Sequence, residues 1–168
     1  MFEALSAFKR IIVTGPQRSG TNAAAHMIAY DTGHRFIDSI PGNTREWTWH
    51  LEHLRQMSGI VKHAPFLARY IHNFADDDTM LVFMRRDLDA IRRSQERIHW
   101  NDVKELARYP GSTLETIAAR KYSWWESHSR PRCVWYWDLP YEDLAGHPLW
   151  VPPEQRVNFR PRQWRVTR

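Results

Sequence analysis

The sequence predicts an α/β fold of three layers, in which helices flank a central and mainly parallel sheet. Apolar strand-like runs alternate with helix-like segments along the chain, an order that is typical of parallel sheets. The run at residues 79–84 is almost entirely apolar, as expected for a strand that is buried on both faces. A chain of 168 residues is long enough for one domain with a sizeable core. We therefore expect one domain over residues 1–168, with a basic tail over residues 150–168.

The first half of the chain carries strand and helix patterns in regular alternation. A short β-branched run forms the first strand, and Gly33 is a suitable C-terminal stop for the helix that follows it. Pro41 and Gly42 end the second strand. The predicted order is strand 10–14, helix 20–31, strand 35–38, helix 44–57, strand 59–63 and helix 65–74.

The second half begins with an acidic turn at residues 76–78 and the apolar strand 79–84. A helix is predicted over residues 87–99. Ser112 and Glu115 have the spacing of a capping box for the next helix, which extends to about residue 125. A last strand is predicted over residues 133–137, and the prolines after residue 140 leave regular structure sparse.

The loop after the first strand has the composition of an anion-binding loop. Gly15 and Gly20 have the spacing of a nucleotide-binding P-loop, in which Lys and then Ser or Thr follow the second Gly. Here Thr21 and Asn22 follow it, and the basic residue, Arg18, lies inside the loop. Backbone N–H groups and a helix N-terminus that converge on one point can bind phosphate or sulfate. The loop therefore predicts an anion site without the lysine of ATP-binding loops.

A second anion-binding segment is predicted after the strand 79–84. Arg86 would lie at the carboxyl end of that strand, where open α/β sheets bind their ligands. Ser94 follows two helical turns later. On its own, an Arg-Arg-Asp sequence before a helix is more often a surface or capping feature. Together with the loop at residues 15–22, it predicts two positively charged pockets in one crevice.

Four segments of the chain together resemble the sulfotransferases that use 3′-phosphoadenosine 5′-phosphosulfate, or PAPS. In that family, Lys or Arg followed by Ser-Gly-Thr binds the 5′-phosphosulfate, and a later Arg and Ser bind the 3′-phosphate. A Lys and a His at the end of an intervening strand supply the catalytic base, and a Tyr-Glu-Asp-Leu segment follows a late strand. The matching segments occur in the family's order at residues 18–21, 62–63, 86–94 (with Leu88 in place of the usual Pro) and 141–144.

The resemblance implies a P-loop-like fold and transfer of a sulfuryl group from PAPS to a hydroxyl or amine acceptor. The other product would be 3′-phosphoadenosine 5′-phosphate, or PAP, and no metal would be required. It implies that His63 is the general base and that Arg18 stabilises charge on the leaving phosphate oxygen. Asp38 is the reserve base, because a carboxylate at the end of the predicted second strand would also face the cleft. The residues expected to bind the donor are Pro16, Gln17, Arg18, Ser19, Gly20, Thr21, Asn22, Arg86 and Ser94.

Two features of the family are missing from this chain. The Trp that stacks on adenine after the loop is replaced by Ala23 and Ala24, and the Arg-Lys-Gly stretch that closes over the 3′-phosphate is absent. The candidates to close the site instead are tail residues, namely Arg160, Arg162 and Arg165. The missing adenine Trp also leaves open a degenerate member that keeps the donor site and no longer catalyses transfer.

The composition limits the partners and the compartment. A formal net charge of +5 indicates anionic partners, here a nucleotide sulfate donor. No apolar run is long enough to span a membrane, and residues 1–9 lack the pattern of a secretion signal. The one cysteine, Cys133, is expected to be a buried structural thiol in the last strand. These features predict a cytoplasmic protein.

The acceptor and two rival functions stay open. The acceptor is unidentified, and its pocket is expected to use Trp47, Trp49 and residues 100–125. A P-loop nucleotide or nucleoside kinase shares the loop spacing, but it predicts a Lys after Gly20 and an Asp that holds Mg²⁺ at a strand end. A non-catalytic binder of nucleotides or nucleic acid is the other rival, because the tail after Trp150 is rich in arginine. Nucleic acid is the less favoured partner.

Overall fold

The computed structural model describes residues 1–38, 47–98, 106 and 110–152 of the chain. Its strands are β1 (Arg10–Thr14), β2 (Arg35–Ile37), β3 (Ile60–His63), β4 (Thr79–Arg85) and β5 (Tyr136–Pro140). Its helices are α1 (Thr21–Thr32), α2 (Trp47–Arg55), α3 (Leu88–Glu96) and α4 (Leu114–Trp124). The predictions that concern Pro41, Gly42, residues 99 and 100 and the arginine-rich tail lie outside the described residues. No helix within the described ranges is long and apolar enough to cross a membrane.

The strands form one sheet in the order β2-β3-β1-β4-β5, and all neighbouring strands are parallel. Alternate residues of the central strands face two different hydrophobic cores. Val13 of β1 faces a core that includes helix α1, whereas Ile12 faces the core on the opposite side. In β4, Val82 and Phe83 divide in the same way. Helices therefore cover both faces of the sheet, and the predicted three-layer α/β architecture is confirmed.

Helix α1 starts directly after the loop that follows β1. Its N-cap is Gly20, with a φ of 99°, and its C-cap is Gly33, with a φ of 69°. Ala24, Ala25 and Ile28 are fully buried in the same core as Ile11 and Val13 of β1. The predicted helix 20–31 and its stop at Gly33 are therefore confirmed to within one residue.

The predicted helix over residues 65–74 is wrong. Two 3-10 turns, Pro65–Leu67 and Ile71–Phe74, take its place. The apolar side chains of this segment are buried in the second core, and this burial agrees with the apolar pattern that predicted a helix. The backbone instead bonds three residues apart, with Tyr70 N–H donating to Leu67 O at 2.7 Å. The side chain of Asn73 also donates to Tyr70 O, and such local side-chain bonds compete with helix formation.

The last strand lies three residues later than the predicted strand 133–137, since β5 begins at Tyr136. A π-helical turn, Trp125–Ser129, and a 3-10 turn, Arg130–Arg132, prolong the helical region beyond α4. Cys133 therefore lies before the sheet rather than in it. Its Sγ donates to Ser129 O at 3.1 Å, and burial raises the pKa of the thiol to about 11. Cys133 is half-buried rather than buried as predicted, and a protonated thiol at neutral pH fits a structural role.

Side-chain caps fix the starts of α3 and α4. Asp87 Oδ1 accepts the Ala90 N–H at 2.8 Å at the start of α3. Helix α4 is capped by Thr113, and Thr116 Oγ1 accepts the Thr113 N–H at 3.0 Å. The predicted cap at Ser112 is displaced by one residue because Thr113 and Thr116 have the same spacing and can make the same reciprocal bonds.

Candidate functional site

The segment between β1 and α1, called the β1–α1 loop (residues 15–20), is a tight turn. Gly15 has a φ of 142°, and a Cβ at this position would lie 3.0 Å from Met84 O. Ser19 is fully buried, and its Oγ donates to Pro16 O at 2.7 Å. Arg18 has a φ of 70°, which residues other than glycine adopt rarely. Left-handed residues within a turn allow successive backbone N–H groups to converge on an anion.

Tyr141 packs against the end of this loop. A Cβ at Gly20 would lie 2.5 Å from Tyr141 Cδ2, so only glycine permits this approach. The guanidinium carbon of Arg86 lies 4.0 Å from the centroid of the same ring. Tyr141, the first residue of the predicted Tyr-Glu-Asp-Leu segment, therefore connects Gly20 of the loop with Arg86 at the end of β4.

Arg86 points at the β1–α1 loop. Its Nη1 donates to Arg18 O at 2.7 Å, and Ser94 Oγ accepts from Arg18 Nε at 3.1 Å. Tyr122 Oη accepts the Arg86 N–H at 2.9 Å and donates to Arg86 O at 2.7 Å. Arg86 Nε is buried and has no hydrogen-bond partner among the described residues. The structure thus brings together Arg18, Arg86 and Ser94, the three residues that the sequence pairs across two segments.

His63 faces the same loop from the carboxyl end of β3. Its Nδ1 lies 2.7 Å from Asp38 Oδ1, and its Nε2 lies 3.0 Å from Thr21 Oγ1. The hydrogen bond and the charge of His63 hold the pKa of Asp38 below its usual range, so Asp38 stays ionised and accepts the Nδ1–H. The neutral tautomer then has its lone pair on Nε2, where it accepts the Thr21 hydroxyl proton. This arrangement suits a general base.

Lys62, the other half of the predicted Lys-His pair, points elsewhere. Its side chain is fully buried, and its Nζ donates to Asp38 O at 2.5 Å. Burial lowers the pKa of Lys62 to about 8. The Lys62 side chain therefore does not point to solvent.

The sequence itself matches no family model, and no curated protein is significantly similar to it. Among solved structures, the chain is similar to shikimate kinase from Acinetobacter baumannii in complex with shikimate, with a TM-score of 0.56 and 14% identical residues. The similarity covers 86% of this chain and 93% of that chain. The fold is P-loop-like. At this identity the likeness concerns the fold alone.

Helix α4 of this P-loop-like fold also contacts the β1–α1 loop, and the sequence did not predict this contact. Lys121 Nζ donates to Gln17 Oε1 at 2.5 Å and to Pro65 O at 3.1 Å. A signal was present in the sequence, because Lys121 lies one helical turn after Ile117 and one turn before Trp125. A lysine between two apolar residues of a buried face needs polar partners, and this one is only 1% exposed.

The tryptophans expected to flank a ligand cleft are mostly packing residues where they are described. Trp125 is fully buried and stacks on Phe83 with ring centroids 4.5 Å apart, so it belongs to the core. Trp124 Nε1 donates to Arg69 O at 2.8 Å. Trp49 packs against the second core. The side chain of Trp47 and residue 100 lie outside the described residues.

Proposed function

We propose that this protein transfers a sulfuryl group from PAPS to a hydroxyl or amine acceptor. The observation that carries the proposal is the convergence of Arg18, Arg86 and Ser94 on a P-loop-like loop that has Thr21 in the position of the ATP-binding lysine. His63 reaches the same loop through its contact with Thr21. A cationic site, a loop without that lysine and a neighbouring base together favour a sulfate donor over ATP.

The residues present fit the proposed donor. Arg86 Nε is a buried donor without a hydrogen-bond partner among the described residues, and an anionic ligand would satisfy it. Arg86 and Ser94 would hold the 3′-phosphate, and residues 16–22 would hold the 5′ end. Ser94 Oγ accepts from Arg18 Nε and can at the same time donate its O–H to the 3′-phosphate.

When bound, the donor supplies the sulfuryl group that the acceptor oxygen or nitrogen takes up. His63 Nε2 would receive the proton that the acceptor loses, after the acceptor replaces the hydroxyl of Thr21 at that nitrogen. Asp38 would stabilise the resulting imidazolium through the Nδ1–H. Arg18 and the loop N–H groups would stabilise the negative charge that develops on the leaving phosphate oxygen.

A P-loop kinase is the second candidate function. The similarity of the fold to shikimate kinase favours it. Two observations weigh against it: Thr21 replaces the loop lysine, and β4 ends in Arg85 followed by Arg86 rather than in a Mg²⁺-binding aspartate. Magnesium-dependent consumption of ATP would establish this candidate in place of the sulfotransferase.

Calorimetric titration of PAP, AMP and ATP into the wild type and Arg86→Ala tests the proposal. We expect tight binding of PAP and much weaker binding of AMP, since AMP lacks the 3′-phosphate. Arg86→Ala should weaken PAP binding about 30-fold or more, as expected for the loss of roughly 2 kcal/mol from a charged hydrogen bond. Arg92→Ala is the matched control, because Arg92 is an exposed arginine of α3 that pairs with Glu96. Equal affinities for PAP and AMP would contradict the proposed site.

A further inference from the structure

Lys121 is a buried cation that joins two segments of the candidate site. Its Nζ bonds Gln17 of the β1–α1 loop and the carbonyl of Pro65, two residues beyond His63. Its neighbour Tyr122 makes both backbone hydrogen bonds to Arg86. Two consecutive residues of α4 therefore contact the loop, the segment after β3 and the segment after β4.

The contact with Lys121 determines how the Gln17 amide is oriented. An ammonium group only donates hydrogen bonds, so the oxygen of the Gln17 amide must face Lys121 and its NH₂ group must point away. Within the described part of the chain, that NH₂ group makes no hydrogen bond. Lys121 thus holds two N–H donors of the loop ready for a ligand.

Lys121 also places a positive charge beside the loop, which has Thr21 where ATP-binding loops have a lysine.

We propose that Lys121 is a positioning residue of the anion site. It orients the Gln17 amide so that the NH₂ group binds the phosphate or sulfonate oxygens held by the loop, and its charge favours an anion there. This inference rests on the anion-binding part of the proposed function and not on sulfuryl transfer.

A double-mutant cycle tests it, with PAP and inorganic pyrophosphate as probes. Lys121→Met, Gln17→Leu and the double variant are titrated by calorimetry at a temperature at which circular dichroism shows each of them folded. We expect each single variant to bind both probes about 10-fold more weakly, and the double variant to be little worse than either, because the two residues act as one unit. Lys9→Met is the control. Lys9 directly precedes β1, and its side chain is 57% exposed and pairs with Asp78.

The outcomes separate this inference from the proposed function. If the wild type binds pyrophosphate but not PAP, the sulfotransferase proposal is contradicted. The double-mutant cycle then tests the role of Lys121 with pyrophosphate alone. Wild-type affinity in folded Lys121→Met, or losses that multiply to about 100-fold in the double variant, would overturn the positioning role. If Lys121→Met does not fold, wild-type affinity in Gln17→Leu overturns the positioning role of Lys121. A wild type that binds neither probe overturns it as well.

Discussion

Lys62 and His63 are neighbours on β3, yet they have different roles because successive side chains of a strand point to opposite faces of the sheet. His63 reaches Thr21 at the start of α1, whereas Lys62 is fully buried against Asp38 O. Asp38 contacts both of them, His63 through its carboxylate and Lys62 through its backbone. One aspartate thus fixes the tautomer of the candidate base and holds a buried ammonium group. The motif places both residues correctly on the strand, but only His63 faces the site.

Replacing Lys62 by Met tests how the buried ammonium group affects stability, through the pH dependence of the free energy of unfolding. Burial lowers the pKa of Lys62 from 10.5 to about 8. Between these pH values the unfolded chain binds more protons than the folded chain, so the free energy of unfolding increases as the pH rises. The destabilisation by buried Lys62 is therefore largest below pH 8 and fades towards pH 10.5. That cost is about 3 kcal/mol, offset in part by roughly 1 kcal/mol from the hydrogen bond to Asp38. Lys62→Met should therefore be more stable than the wild type by about 2 kcal/mol near neutral pH.

Urea unfolding at several pH values measures this difference. The gap in free energy of unfolding between Lys62→Met and the wild type should narrow as the pH rises from neutral towards the ordinary pKa of lysine. Parallel pH profiles for the two proteins would contradict a depressed pKa at Lys62.

Among the elements, helix α1 is bounded by two left-handed glycines whose surroundings differ. A Cβ at Gly20 would meet the ring of Tyr141 at 2.5 Å, whereas a Cβ at Gly33 would meet no described atom within 4 Å. Gly33→Ala should cost about 1 kcal/mol, from its positive φ alone. Gly20→Ala should cost roughly 3 kcal/mol and weaken PAP binding, because the buried Tyr141 ring must move and it also packs against Arg86. Urea unfolding and calorimetry measure the two effects, and equal costs at both glycines would show that the Tyr141 ring is not fixed.

The elements predicted best from the sequence are those with local determinants. β1, α1 and β4 follow from a β-branched run, a glycine stop and an apolar run, and each agrees with the structure to within one residue at each end. The strand 133–137 was wrong because Val134 and Trp135 are apolar and yet 56% and 48% exposed. The turn Trp125–Ser129 has no marker in the sequence that distinguishes a π-helical turn from the end of a helix.

At the scale of the whole molecule, the order β2-β3-β1-β4-β5 explains why distant residues form one site. The chain leaves β1 towards one edge of the sheet and crosses after β3 to the other, so the carboxyl ends of β3, β1 and β4 lie side by side. His63 is the last residue of β3, whereas Arg18 and Arg86 follow the ends of β1 and β4, and this part of the site was predictable from motif order. Lys121 was not, because its place depends on how α4 packs across the sheet rather than on any strand end.

This topology predicts where PAP should change hydrogen exchange. Amides that exchange by local opening should be protected at the carboxyl edge, in residues 15–22 and around Arg86, since the ligand contacts only that edge. Similar amides at the amino edge, around Lys9 and Gly59, should exchange as before.

Core amides of β1 and β4 that exchange by global unfolding should all slow by one common factor. That factor is about 100-fold when free PAP is at about 100 times its Kd, which corresponds to about 2.7 kcal/mol. Mass spectrometry with and without PAP measures all three classes. Slowing of the core amides without protection of residues 15–22 would mean that PAP binds elsewhere on the molecule, and the arrangement of strand ends would then have no part in holding it.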